Sequence, residues 1–341
     1  MIRIFAALCL ALAAQVQPAA AQELWSHQQS GISLPRTIGD MTLREERDIS
    51  GGGNFDVALQ YGDTATPVTL YVYRSAYPNA ALWFERTRLA MNEHVGSGNR
   101  EAAPRSFTLG GASAPNGLRE EIELEGNRST AVALAQIGQW MMKVRITSTR
   151  LNRAEVGEAM DRILAAARFA NTPAAPHPLV VPGPCGDEMR MTGARIANVE
   201  GEPHAGAAVF GIIAYANARG AQGLAAEPDQ WCRVTGSQLP VRFGSLYRRR
   251  DGAGWVALVG DSGRAIAAVP FDVPGEARAA VYASTPTSTQ AVAVYRAMPD
   301  PDEGIVTAIP VVTGQARGIA EIGTNAPGQE PQRKNQHRRS R

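Results

Sequence analysis

Lysine and histidine are scarce in this sequence. Only two of the 34 basic residues are lysine, Lys143 and Lys334, and the 341 residues include five histidines. None of the histidines lies in an HExxH or HxH pattern, so the close ligand spacing of a zinc site is missing. The sequence therefore predicts neither a metal site nor a cofactor.

Long apolar runs are also missing. A helix that crosses a bilayer needs about 20 apolar residues, whereas the longest later run, residues 205–216, has 12. The N-terminal run, residues 4–14, follows Arg3 and precedes the small residues Ala19 to Ala21. This order is typical of a signal peptide. We expect cleavage after Ala21, no transmembrane segment, and a periplasmic or secreted protein.

Cysteine occurs three times, and Cys9 lies within the predicted signal peptide. The remaining pair, Cys185 and Cys232, would meet an oxidising compartment after export. No CxxC redox pair is present. We therefore predict a Cys185–Cys232 disulfide that stabilises the fold.

Proline and charge divide the rest of the chain. Five of the fourteen residues 171–184 are proline, which favours an extended linker. After residue 324 the chain has five cationic residues against the single acid Glu330 and no apolar periodicity, which predicts a disordered basic tail. The predicted organisation is a signal peptide (1–21), a first domain (22–170), a linker (171–184), a second domain (185–324) and a tail (325–341).

The first domain shows two kinds of hydrophobic period. Strand-like alternation covers residues 56–61 and 69–74, and a helical pattern follows from Pro78. A second helix is predicted to begin at Asn152, with Glu155 completing a capping box. Between the helices we expect four further strands, at 106–109, 118–124, 130–137 and 140–148. The fold class is α+β, an antiparallel sheet flanked by two helices.

This element order resembles the PsbP-like fold, a family of α-β-α sandwiches that includes extrinsic photosystem II subunits and small bacterial envelope proteins. The resemblance rests on the order, on GISLP at residues 31–35, and on WMMKVRITS at residues 140–148. The stretches LPRTIGDMT (34–42) and TLYVYR (69–74) are similar to a group of exported proteobacterial proteins. The resemblance implies an architecture and a compartment, and no functional residue.

The second domain consists of short apolar runs separated by Gly, Pro, Asp or Ser. Such spacing predicts a small antiparallel β domain. The expected strands are residues 255–259, 265–269, 279–283, 291–295 and 305–312.

A four-residue motif, Gly260-Asp261-Ser262-Gly263, matches the nucleophile segment of chymotrypsin-like serine proteases. Such a serine needs a histidine base, and the second domain offers only His204. A hairpin turn between two strands is the simpler interpretation, because Asp, Ser and Gly favour turns. A serine hydrolase that uses Ser262 and His204 is the alternative.

Two further sets of residues allow two interpretations each. Adjacent strand residues point to opposite faces, so the pairs Glu45-Glu46 and Glu120-Glu121 are predicted to be solvated edge residues rather than catalytic pairs. Tyr and Trp are common both in cores and in partly buried grooves. Core packing is favoured for the aromatic set Tyr71, Tyr73, Tyr77, Trp83 and Phe84.

No catalytic residue is predicted, and the sequence favours an exported, non-enzymatic binding or assembly protein of the bacterial envelope. Its expected partner is another envelope protein, and no nucleic acid is expected. The tail is interpreted first as a solubilising segment. The alternative is an electrostatic tether that contacts anionic lipid or lipopolysaccharide. The candidate polyanion contacts are Arg333, Lys334, Arg338, Arg339 and Arg341.

Overall fold

The computed structural model describes the chain in nine stretches. The predicted signal peptide, most of the linker, the tail, His204 and Ser262 lie outside them. The described residues are 23–95, 103–126, 128–171, 179–186, 230–235, 239, 243–261, 263–273 and 276–323.

The N-terminal half is built on an eight-stranded antiparallel sheet in the order β3-β4-β5-β6-β10-β9-β8-β7. A small antiparallel sheet, β1-β2-β11, lies beside it. The strands of the large sheet are β3 (Thr37–Ile38), β4 (Met41–Asp48), β5 (Asp56–Gly62), β6 (Pro67–Arg74), β7 (Arg105–Phe107), β8 (Gly117–Leu124), β9 (Arg128–Ile137) and β10 (Trp140–Ser148). The small sheet comprises β1 (Leu24–His27), β2 (Ile32–Pro35) and β11 (Arg168–Phe169).

The large sheet has two unlike faces, because side chains alternate along each strand. On the outer face, Leu70 and Val72 pack in one core with Met160 and Ile163 of helix α2 (Arg153–Ala166). The inner face carries Tyr71 and Tyr73 and is covered by helix α1 (Ala80–Val95) and by the C-terminal half.

Local signals in the sequence account for the start of both helices. Asn152 accepts a hydrogen bond from the Glu155 amide, and the Glu155 side chain accepts one from the Asn152 amide, so the predicted capping box is confirmed. At α1, the Asn79 side chain accepts a hydrogen bond of 3.1 Å from the Leu82 amide. Each cap satisfies a backbone amide that the first helical turn leaves unpaired.

The C-terminal half is a seven-stranded antiparallel sheet in sequence order, β12 to β18. One helix, α3 (Pro301–Val312), packs on it. Its strands are β12 (Trp231–Arg233), β13 (Gly244–Arg249), β14 (Trp255–Val259), β15 (Arg264–Val273), β16 (Glu276–Ser284), β17 (Ser288–Tyr295) and β18 (Ala320–Gly323).

The strand predicted at residues 305–312 is wrong, because that segment belongs to α3. Asp300 caps the helix by accepting a hydrogen bond of 2.9 Å from the Asp302 amide, and Pro301 occupies the first turn. Ile305, Ala308 and Val312 are buried at helical spacing. A short apolar run fits a buried helix as well as a strand. Here the Asp300 cap favours the helix.

The two halves share one hydrophobic core. Trp83 of α1 and Tyr73 of β6 pack in the same cluster as Tyr247 and Val256 of the second sheet. The Tyr247 hydroxyl donates a hydrogen bond of 3.1 Å to the Leu82 carbonyl. The molecule is therefore an α+β protein in which the second sheet packs over the inner face of the first.

The predicted disulfide is confirmed: Cys185 and Cys232 are bonded, with their Cα atoms 4.9 Å apart. Backbone hydrogen bonds of 2.8 Å, from Cys185 to Arg233 and from Arg233 to Gly183, hold the two segments together beside it. The bridge thus joins the end of the proline-rich segment to strand β12. Among the described residues, no helix is long and apolar enough to cross a membrane.

Candidate anion site between the two sheets

The turn between β14 and β15 sits on the inner face of the large sheet. Arg86 Nε donates a hydrogen bond of 2.9 Å to the Gly260 carbonyl, and the Ala76 amide donates one of 2.7 Å to the Gly263 carbonyl. Gly263 has φ +76°, and a Cβ at this residue would lie 2.4 Å from the Arg74 carbonyl oxygen. Glycine is required here both by the backbone conformation and by the close approach.

This turn is the motif that resembles a protease nucleophile segment. Strands β14 and β15 flank it and pair antiparallel, so the hairpin interpretation is confirmed. The motif's described residues dock the second sheet onto the first. Ser262 and His204, the residues of the hydrolase alternative, lie outside the described part of the chain.

Lys143 lies under this turn and is 3% exposed. Its ammonium group forms an ion pair with Asp261 and lies 4.3 Å from the centre of the Tyr71 ring. Thr87 also donates a hydrogen bond of 3.4 Å to Asp261 Oδ1. A lysine is almost never fully buried without a partner, and the carboxylate and the aromatic face together supply one.

A pocket of about 290 Å³ opens beside this ion pair. We name it the seam pocket, because residues of both sheets line it. Its charged walls carry three cations and two anions: Arg86, Lys143, Arg145, Glu93 and Asp261.

Two guanidinium groups of the seam pocket have unused donors. Arg86 is 2% exposed, and its NH1 nitrogen is buried without a hydrogen-bond partner among the described residues. The Nε nitrogen of Arg145 is likewise buried, and nothing in the described stretches accepts from it. A buried donor without an acceptor costs about 1–3 kcal/mol.

The chemistry of the seam pocket favours an oxyanion. Guanidinium groups bind carboxylate, phosphate and sulfate oxygens through short charge-assisted hydrogen bonds. Asp261 neutralises Lys143, whereas Arg86 and Arg145, each with one unused nitrogen, line the same space.

Asp56 is a third buried charged group of the inner face, where it pairs in register with Tyr73. Burial raises the pKa of Asp56 to about 6; the positive charge of Lys143 lowers it, and the negative charge of Asp261 raises it. Its Oδ1 atom is buried and accepts no hydrogen bond from the described residues.

A separate ionic network links α1, the large sheet and the second sheet. Arg88 Nε lies 2.7 Å from Glu120 Oε2, and Arg88 NH1 lies 2.9 Å from Glu85 Oε2. Burial lowers the pKa of Arg88, but Glu120 and Glu85 outweigh it, so the pKa is raised overall. Arg233 of β12 lies 3.3 Å from Glu85. These ion pairs hold elements together.

The prediction of a solvated edge for Glu120 and Glu121 is wrong. The two side chains do point to opposite faces, but Glu120 is buried against Arg88, and Glu121 pairs with Arg119 at 2.6 Å. Their neighbours along the sheet and on the helices cover them, which the sequence spacing does not reveal. The predicted polyanion contacts in the tail lie outside the described residues.

The aromatic set divides between the two interpretations. Tyr73, Tyr77, Trp83 and Phe84 are buried in the shared core, as predicted, whereas Tyr71 lines the seam pocket. Sequence reasoning missed the residues that build this pocket. One signal was present: Lys143 is one of only two lysines and lies in the apolar run of β10. The missed set is Arg86, Lys143, Arg145 and Asp261.

Two of the solved structures that match this chain illustrate how low the similarity is. No family profile matches the sequence, and no curated protein matches it. One structure, a protein of Bacteroides thetaiotaomicron, is 11% identical with a TM-score of 0.27, and the match covers 44% of this chain and 49% of that one. The chain thus spans about half of that protein's length.

The other structure is cyanobacterial PsbP from Synechocystis. It is 10% identical with a TM-score of 0.31, and the match covers 47% of this chain and 99% of that one. Its name is that of the PsbP family, which the order of elements in the sequence resembles. No residue role is carried over from either structure.

Proposed function

We propose that this chain is an exported, non-enzymatic binding protein of the bacterial envelope that holds an anionic group of its ligand in the seam pocket. The observation that carries this proposal is the pair of unused, buried guanidinium nitrogens, Arg86 NH1 and Arg145 Nε, beside the same pocket.

The geometry favours binding because two of the three cationic groups are held in place before a ligand arrives. Arg86 is anchored through Nε to the Gly260 carbonyl, and Lys143 through its ion pair with Asp261. A preorganised site loses little side-chain entropy on binding. The ligand's oxyanion would accept hydrogen bonds from NH1 of Arg86 and Nε of Arg145, which have no acceptor among the described residues.

The disulfide supports the exported location. Disulfides persist in oxidising compartments and are rare where thiols are kept reduced. The Cys185–Cys232 bond therefore fits an envelope or secreted protein. In such a compartment, anionic groups are carried by lipid headgroups, by glycans and by acidic proteins.

Calorimetric titration with inorganic phosphate tests the proposal, with the chain from residue 22 at pH 7.5 and low salt. We expect saturable binding, weakened about tenfold in Arg145→Gln, because one charge-assisted hydrogen bond contributes about 1.4 kcal/mol or more. Arg296→Gln is the matched control, since it removes one positive charge from an exposed residue away from the pocket.

The control separates site binding from general charge attraction. Equal weakening in both variants would mean that phosphate responds to net charge, and the proposal would fail. It would also fail if the wild-type protein gave no saturable signal.

A further inference from the structure

A second pocket, of about 440 Å³, lies between the β4–β5 loop and the C-terminal end of α3. We name it the hairpin pocket. It shares no lining residue with the seam pocket. Its lining includes Phe55, Asp56, Arg264, Thr287, Gln290 and Val312.

Asp56 is the unusual group of the hairpin pocket. It is 6% exposed, and its Oδ1 atom finds no donor in the described part of the chain. Asp48 in the adjoining loop differs, because its carboxylate accepts hydrogen bonds from the amides of Ser50, Gly52 and Asn54. Asp48 therefore organises the loop, whereas Asp56 retains an unused acceptor beside a pocket.

Residues with hydrogen-bond donors line the same pocket as Asp56. Gln290 Oε1 accepts a hydrogen bond of 2.7 Å from the Gly318 amide, which fixes the side-chain amide and identifies its nitrogen as the remaining donor. Arg264 is exposed at the same pocket and adds a guanidinium group, and Thr287 adds a hydroxyl. The ring of Phe55 and the side chain of Val312 supply apolar surface.

The charges argue against an ionic ligand. Lys143 and Arg264 already place positive charge near Asp56, so a second cation would be repelled by Arg264. An anion would be repelled by the carboxylate itself. Hydroxyl groups avoid both costs, because each can donate to a carboxylate and accept from an amide or a guanidinium group.

We propose that the hairpin pocket binds an uncharged, polyhydroxylated ligand of the sugar class. Asp56 accepts from ligand hydroxyls, Gln290 and Arg264 donate to ligand oxygens, and Phe55 packs against the C–H face of the ring. Aromatic and aliphatic walls with a few fixed polar groups are typical of small-molecule sites.

Saturation-transfer difference NMR on the chain from residue 22 tests this site, with methyl α-glucoside and N-acetylglucosamine as probes at pH 7.5. We expect saturable binding of at least one probe. Asp56→Asn and, independently, Gln290→Ala should each weaken it about tenfold, since each removes one anchoring hydrogen bond. Arg145→Gln, which alters only the seam pocket, should leave the affinity within about twofold.

Two outcomes would overturn the proposal. One is the absence of transfer to both sugars. The other is binding that both Asp56→Asn and Gln290→Ala leave unchanged. Competition with phosphate distinguishes this site from the seam pocket. We expect that phosphate does not displace the sugar. Displacement would indicate that the sugar binds in the seam pocket and would contradict the proposal.

Discussion

The two faces of the large sheet differ in what they bury. Across β6 and β10, the outer face contributes Leu70, Val72 and Val144 to an apolar core with α2. The inner face of the same two strands contributes Tyr71 and Lys143 to the contact with the second sheet.

The outer face mainly stabilises the fold, whereas the inner face mainly determines how the second sheet is positioned. An apolar face gains free energy roughly in proportion to the area it buries and tolerates any partner of suitable shape. A lysine is almost never fully buried without a partner, and removing one partner of a buried ion pair is costly. The Lys143–Asp261 pair therefore favours this placement of the β14–β15 turn. That placement also creates the seam pocket.

The largest expected loss of stability comes from a substitution in the apolar core of the outer face. Leu70 is 0% exposed on a central strand, so Leu70→Ala should destabilise the protein by about 4 kcal/mol through lost burial and a residual cavity. Chemical denaturation measures this. A loss below about 1 kcal/mol would contradict the assignment of the main core to this face.

The next largest effect concerns the Lys143–Asp261 ion pair of the inner face, where removing either partner should cost a different amount of stability. Asp261→Ala leaves Lys143 buried and unpaired, and should cost about 3 kcal/mol. Lys143→Met leaves a partly exposed Asp261 that water can solvate, and should cost about 1 kcal/mol. A double-mutant cycle measured by denaturation tests the coupling. Equal costs for the two single variants would contradict the burial of Lys143.

Replacing Asp56, on the same inner face, with an uncharged residue is expected to stabilise the protein. The pKa of Asp56 is raised from 3.8 to about 6 in the folded protein, so the folded state binds the proton more tightly than the unfolded state. The resulting penalty is absent below pH 3.8, grows as the pH rises to about 6, and is complete above it.

Asp56→Asn removes this penalty. About 3 kcal/mol follows from the pKa shift at ~1.4 kcal/mol per unit, and an imperfectly paired amide offsets about 1. We expect a net gain of about 2 kcal/mol at pH 7.5 that vanishes near pH 4. Unfolding curves at both pH values measure it, and a gain independent of pH would refute the burial argument.

The smallest expected effect concerns an exposed ion pair. Arg150 and Asp63 lie 2.8 Å apart, with both side chains more than a third exposed. Arg150→Gln should leave the midpoint of chemical denaturation unchanged within error, because solvent screens such pairs. A loss of stability as large as that of Asp261→Ala would show that surface and inner-face ion pairs do not differ in their contribution to stability.

Local signals made much of the fold predictable. Hydrophobic alternation predicted strands β6 and β10, and the capping box at Asn152 predicted the start of α2. The two cysteines outside the predicted signal peptide, Cys185 and Cys232, predicted the disulfide. Helix α3 was missed because its apolar run outweighed the Asp300 cap. An N-terminal cap followed by proline is itself a helix-start signal.

The candidate site was not predictable in the same way. Lys143 and Asp261 are 118 residues apart, and only the packing of one sheet on the other brings them together. Arg86 and Arg145 are typical surface residues by type, and the buried Arg86 is held against the Gly260 carbonyl of the β14–β15 turn. Sequence periodicity reports which face a residue occupies, but not what later covers that face.

A crystal structure of the protein soaked in selenate would show whether the seam pocket holds an oxyanion, because the anomalous signal of selenium locates the ion. We expect a selenate ion in the seam pocket, within hydrogen-bond distance of both Arg86 NH1 and Arg145 Nε. A seam pocket that holds only water at saturating selenate would contradict this expectation.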